Sequence, residues 1–286
     1  MNLGFSTASL AGCSLDEACR IGHDLGFAAA EFLAFDGFRH SQGPLAGFYF
    51  DRMTPAEKDH LRALAEGFGH VSLHAQFYEM APLSPSPGLR EAAWHELVVT
   101  LEAAQFLGAA TVTTHASPKA SHTLEQSWDD LVAHYRRLGD AAAERGCSVT
   151  IETIYPSALD DFARLIHDIA HPAIGANVDV GHLTGLVPRE LIGTPAAADY
   201  YNDLLEQHLR SLGPKLFHFH LHDVRAEDLR DHRACGRGLI DYTRLVRVAR
   251  ELQYAGWFVY ELEEPDLIEA LKQSRDTLLA AGQAVC

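Results

Sequence analysis

Cysteine is scarce in this chain and carries no pattern. Cys13, Cys19, Cys147, Cys235 and Cys286 are odd in number and show no C-x-x-C spacing. That argues against a disulfide framework or a structural zinc site and fits a reducing compartment. Long apolar runs are also missing: nothing approaches the roughly 18 residues of a membrane span. Residues 1–6 show no basic region followed by an apolar stretch, so no secretory signal is expected. Basic residues are in deficit, 23 against 39 acidic, for a net charge of -16. A nucleic-acid partner needs clustered Lys and Arg along a phosphate backbone, so none is expected. No G-x-G-x-x-G turn follows the first strand, which removes the chief mark of an open dinucleotide-binding sheet. No linker rich in Gly, Ser or Pro divides the chain, and residues 1–286 read as one domain. The expectation is a cytoplasmic globular protein with no membrane partner.

What is present is a repeat of short apolar runs and longer helical patterns. The hydrophobic fraction of 47% suffices for a large core. Runs at 3–6, 29–35, 70–75, 111–115, 148–153, 175–180, 216–222 and 257–262 are too short for helices and mostly rich in β-branched or aromatic residues. Ser14 with Glu17, Thr54 with Glu57 and Thr123 with Gln126 are capping boxes that open the intervening helices. Ser157 opens another, with Asp160 and Asp161 in its first turn. Gly26, Gly67, Gly108 and Gly146 close helices just before the next strand. Parallel strands with right-handed crossovers, eight times over, predict an α/β fold, a single (β/α)8 TIM barrel of the usual length of about 250 residues or a little more. The proline-bearing stretch 80–88 reads as a loop over the barrel mouth.

Seventeen histidines are many for this length, and they cluster. Nearly every proposed strand ends in an ionisable group: Glu31, His74, His115, Glu152, Asp179, His220 and Glu261. In a TIM barrel those ends converge on one opening, where the active site sits. Carboxylates crowded there repel one another unless a cation lies between them, so a divalent metal site is expected. Glu152, Asp179 and Glu261 are ligand candidates, with Glu263 and Glu264 as competitors for the last place. In the seventh strand His218, His220 and His222 alternate on one face, and local pattern does not choose among them. His74, His115 and Glu31 read equally as hydrogen-bonded structure or as contacts to substrate or a second metal. His182 shares the Asp179 loop.

These residues resemble the xylose isomerase-like barrel superfamily of sugar isomerases and epimerases, among them the D-tagatose 3-epimerases, which also contains the endonuclease IV group. The resemblance spans nearly the whole chain. It rests on Val71-Ser-Leu-His74, Thr114-His115, Ile151-Glu152, Asp179-Val-Gly-His182, His220-Leu-His-Asp223, Gly236-Arg-Gly-Leu-Ile-Asp241 and Tyr260-Glu261. It implies that Glu152, Asp179, His220 and Glu261 bind one divalent ion, Mn2+ before Mg2+, Co2+ or Zn2+, with a second metal at His74 and His115 left open. It implies that Glu152 and Glu261 exchange a proton at the carbon next to a sugar carbonyl, through an enediolate that a Lewis acid stabilises. It further implies that His182, His74, His115 and Arg225 contact a small sugar, and that the protein is a dimer or tetramer. Two alternatives come with it. An endonuclease IV-like zinc phosphodiesterase would need an Asp-x-His pair; here His232 is placed correctly, but Arg230 stands two before it and the carboxylate is at the adjacent Asp231. A dehydratase or lyase of the same superfamily would use the same metal-enolate chemistry.

Overall fold

The computed structural model describes residues 1–285. Eight strand–helix units follow in order: β1 (Leu3–Ser6), α1 (Leu15–Asp24), β2 (Ala29–Leu33), α2 (Pro55–Glu66), β3 (His70–His74), α3 (Pro87–Leu107), β4 (Thr111–His115), α4 (Leu124–Ala143), β5 (Ser148–Glu152), α5 (Leu159–Ile169), β6 (Ile174–Asp179), α6 (Pro195–Leu212), β7 (Leu216–Leu221), α7 (Tyr242–Glu251), β8 (Phe258–Tyr260) and α8 (Leu267–Ala284). Each strand pairs in parallel with its sequence neighbour, and β8 returns to β1, closing a (β/α)8 barrel. No helix among the described residues is long and apolar enough to cross a membrane.

Local chemistry accounts for most boundaries. The three expected capping boxes form, each with reciprocal side-chain and backbone bonds. The fourth start differs: the cap of α5 is Ala158, one residue beyond Ser157, and no side chain caps it. Asp160 and Asp161 do occupy its first turn, where they face the positive end of the helix dipole. Gly108 ends α3 at φ +69, whereas Gly67 stays right-handed at φ -65.

Two features position the mouth and were not expected. Between β6 and β7 the pairing runs Ala176 to Leu216 and then Asn177 to His218, so Phe217 bulges out of register. Gly175 makes room for its ring, which a Cβ would meet at 2.3 Å. The extra residue aligns Asp179 with His220 rather than with Phe219, the kind of re-aiming that bulges perform. After β2 the chain forms a small antiparallel ribbon, Arg39–His40 against Gly43–Pro44. The ribbon returns to the barrel at Gly47, which bridges to Leu33. Only glycine fits there, because a Cβ would sit 1.7 Å from the Phe35 carbonyl oxygen.

Candidate active site and metal centre

Glu152, at the end of β5, is the hub. Its Oε2 lies 3.2 Å from His74 Nε2, 3.2 Å from His115 Nε2 and 3.3 Å from His220 Nδ1. Its Oε1 lies 3.1 Å from His182 Nδ1. Asp179 ends β6, and its Oδ1 accepts the backbone N–H groups of Gly181 and His182 at 2.9 and 3.1 Å. Glu261 follows β8, its Oε2 2.9 Å from His220 Nδ1. Ser9 clamps the backbone on both sides of it, donating to the Tyr260 carbonyl and accepting the Leu262 N–H.

The three alternating histidines of the seventh strand separate into three tasks. His218 Nε2 lies 3.3 Å from Glu31, deep in the barrel. His220 turns Nε2 to Glu31 Oε1 at 2.9 Å and Nδ1 to the rim carboxylates. His222 lies behind Asp179: its Nδ1 accepts the His232 N–H at 2.8 Å, so the proton sits on Nε2 and is donated to Asp179 Oδ1 at 2.7 Å. Gly181 leaves space for that ring, which a Cβ would meet at 2.0 Å. Glu31 is thus a buried support beneath His220, also accepting from Ser72 Oγ at 3.1 Å.

A divalent ion fits this arrangement on structural grounds. His220 Nδ1 stands 2.9, 3.3 and 3.9 Å from carboxylate oxygens of Glu261, Glu152 and Asp179, yet makes no hydrogen bond to any of them, and Asp179 Oδ2 is likewise buried without a partner. Unsatisfied buried polar atoms that converge on one point fit a cation held between them. Ligand atoms about 2.1 Å from an ion lie about 3–4 Å apart, and one atom from each of these four residues falls within 4.8 Å of the others. Behind these ligands stand Glu31, whose Oε1 faces His220 Nε2 at 2.9 Å as a charge rather than a hydrogen-bond partner, and His222, which donates to Asp179; outer groups of this kind orient metal ligands.

Electrostatics agree. Burial alone raises the Glu152 carboxyl, but the charges of His115 and His220 outweigh it and hold Glu152 well below the carboxylate range. For Glu261, burial is likewise outweighed by His220. Burial opposes charge on His182, and Asp179 with Glu152 overcomes it, pushing His182 up to about 10. Both glutamates are therefore ionised at neutral pH, beside a His220 whose own pKa they raise and which would release its proton on joining them around a cation.

His182, Asp231 and His232 form a further cluster within 4.8 Å. The one-residue displacement of Asp231 does not scatter it, because His232 adopts a left-handed φ of +55 and Asp231 Oδ1 stays 3.2 Å from His232 Nδ1. Arg233 pins this strap to the β8 loop through Glu264 at 2.9 Å. Arg225 lies apart: its guanidinium forks onto Asp228, with Nε 2.8 Å from Oδ1, and it does not line the mouth.

The mouth encloses a cavity of about 390 Å3. One wall is the ionisable cluster. Beside it, against His74 and His115, stand Phe35 and Phe77, and Phe38, Leu33 and Leu45 complete the lining. Phe77 stacks on His115 at 4.8 Å, joining the two walls. His40 of the ribbon reaches Glu263 across the opening at 3.3 Å. Sequence reasoning missed this wall. The only signal was the glycine-flanked aromatic segment from Gly37 to Gly43, whose turn residues mark a hairpin. Of the proline-bearing stretch, residues 82–85 border a separate cavity beside α4 rather than the one at the mouth, and Pro87 and Gly88 already belong to α3.

Known proteins resemble this chain in part of its sequence or in its fold. Inosose dehydratase of Geobacillus thermodenitrificans (strain NG80-2) is 24% identical over 163 residues, a match that spans half of this chain and half of that protein. A D-tagatose 3-epimerase-like protein superposes with a TM-score of 0.74 at 17% identity, covering 100% of both chains. The 3-keto-D-glucoside 4-epimerase of E. coli superposes at 0.72 with 18% identity, covering 98% of this chain and 99% of that one. At such identities the superpositions speak for the fold. The family model described as Xylose isomerase-like TIM barrel matches residues 19–281, and the chain belongs to that family.

Proposed function

We propose that this protein is a divalent-metal-dependent sugar isomerase or epimerase, with Glu152 and Glu261 as its acid–base pair. The observation that carries the reading is the convergence of both carboxylates on the unpartnered Nδ1 of His220 while both line the cavity. Glu152, Asp179, His220 and Glu261 would hold the ion, Mn2+ by the match of several oxygens and one imidazole. When bound, it supplies Lewis-acid stabilisation of negative charge developing on substrate oxygens.

One glutamate, ionised, takes the proton from the carbon next to the carbonyl; the other, also ionised at rest, first gains a proton from solvent and gives it to the same or the neighbouring carbon, and the first then releases its proton to solvent. His182, His74 and His115 edge the cavity within reach of substrate hydroxyls. The phenylalanine wall receives the C–H face of a sugar and keeps water from the reacting carbon. No Lys or Arg lines the mouth among the described residues, so the substrate is an unphosphorylated sugar. The inosose dehydratase relative and the keto-glucoside epimerase neighbour are named for carbohydrate or cyclitol substrates, consistent with this class. We further propose that residues 1–286 work as one cytoplasmic domain in a dimer or tetramer.

Zinc-dependent phosphodiester hydrolysis is a second reading. The His182–Asp231–His232 cluster and the approach of His74 and His115 to Glu152 favour it; the cation-free mouth and the net charge of -16 oppose it. The deciding experiment combines metal analysis of the purified protein with solvent-deuterium incorporation into a panel of free ketoses in D2O. One exchangeable Mn2+ per chain and exchange at the α carbon are expected. Glu152→Gln and Glu261→Gln should each lose essentially all exchange while circular dichroism stays native. About three zinc ions per chain with no exchange would overturn the isomerase assignment.

A further inference from the structure

Beside the mouth, a second cavity of about 480 Å3 opens between the loops that leave β3 and β4. Its floor is one face of α4, where Asp130, His134 and Arg137 recur at helical spacing. Arg90 stands on one side, and Lys119 and His122 on the other. In a chain with 39 acidic and 23 basic residues, a cavity should be lined mainly by carboxylates. Here three permanent cations face a single one.

That carboxylate is already committed, since Asp130 Oδ2 holds Lys119 Nζ at 2.6 Å. The two guanidiniums have neutral partners. Arg90 Nη1 donates to the carbonyls of Ser84 and Pro85 at 2.6 and 2.9 Å, which aims the fork without cancelling its charge. Arg137 lies over the Trp94 ring at 3.6 Å. The His134 ring meets the same Trp94 edge-on, and its Nε2 is buried with no hydrogen-bond partner. Oriented arginines with no carboxylate partner, beside an unsatisfied imidazole, fit an anion.

We propose that this groove binds a small organic phosphate, with the phosphoryl group shared between Arg90 and Arg137 and supported by Lys119. A planar carboxylate saturates one guanidinium fork; a tetrahedral dianion with three free oxygens can accept from both. The volume beyond the arginines accommodates a sugar-sized body. The site stands outside the catalytic cavity and does not depend on the isomerase assignment.

Titration calorimetry at low ionic strength tests it, with inorganic phosphate and glucose 6-phosphate as probes, glucose as the uncharged control and acetate as the carboxylate control. Both phosphates should bind, more weakly as salt is raised from about 20 to 200 mM, and glucose should not. Arg90→Ala combined with Arg137→Ala should weaken binding at least about tenfold, the effect of losing one strong charged contact, with bound metal and thermal midpoint unchanged. Arg90→Gln alone, at an exposed position, should show the same direction if the double variant is unstable. Phosphate also ligates metals, so Glu152→Gln provides the site control and should retain binding. Binding that survives the arginine substitutions, disappears only in Glu152→Gln, or is matched by acetate would overturn the proposal.

Discussion

Replacing Glu31 by Gln asks how far a residue that touches no substrate governs the metal centre. Its carboxylate is fully buried, and burial by itself raises its pKa. His220 and His218 outweigh that and hold it well below the carboxylate range. It faces His220 Nε2 at 2.9 Å, His218 Nε2 at 3.3 Å and Ser72 Oγ at 3.1 Å. Gln preserves the shape but removes the charge, and it presents an amide N–H₂ where an acceptor was. His220 then loses the carboxylate charge that faces its Nε2 and raises its basicity. Loss of such an outer partner costs roughly 10–100-fold in metal affinity, or about 1.4–2.7 kcal/mol. The apoprotein should also lose about 1–3 kcal/mol, because a buried group is left unsatisfied. Chelator competition for Mn2+, alongside guanidinium unfolding of the apoprotein, measures both. Unchanged affinity would show that Glu31 does not orient His220. A loss beyond about 10⁴-fold would instead make Glu31 a direct ligand.

Two other perturbations test the scaffold. Gly238→Ala places a Cβ 2.0 Å from the Val224 carbonyl oxygen and 2.4 Å from Asp223 Oδ1. That carboxylate organises the strap by accepting Val224, Gly236 and Ile240 N–H groups, so a loss of about 1–3 kcal/mol by denaturant unfolding is expected; a neutral substitution would mean the strap shifts freely. His208 is buried against Thr153 Oγ1 and its pKa is pushed down by burial to about 4. Its folded pKa lies below its unfolded value near 6.5, so its contribution is complete above about 6.5 and is lost as pH falls towards 4. Stability should therefore drop by up to roughly 3 kcal/mol across that window, and His208→Gln should flatten the slope; an equal slope in the variant would assign the drop to other groups.

The fold was legible because its signals are local. Short runs with β-branched residues, Ser or Thr three positions before Glu or Gln, and glycine before a strand each depend on a few neighbouring residues. The strand ends followed, and with them the meeting of Glu152, Asp179, His220 and Glu261 at one rim. Strand-end position brought the three carboxylates to one rim, because parallel strands in a closed barrel all finish on the same face; the choice of His220 over His218 and His222 came from the family resemblance.

Tertiary structure decided what depends on register and on distant chain. The Phe217 bulge pairs Asp179 with His220, and the same strand sends His218 down to Glu31 and His222 behind Asp179. Period-two alternation puts all three histidines on one face but cannot assign their depths. A left-handed turn at His232 keeps Asp231 in the cluster despite its displaced position, while Arg225 turns to Asp228. The aromatic wall comes from the ribbon after β2 and the loop after β3, far apart in the chain. Which side chains could occupy the rim was a matter of periodicity in the sequence; which of them meet at one point was set by pairing register and loop packing, and both of those are properties of the closed barrel.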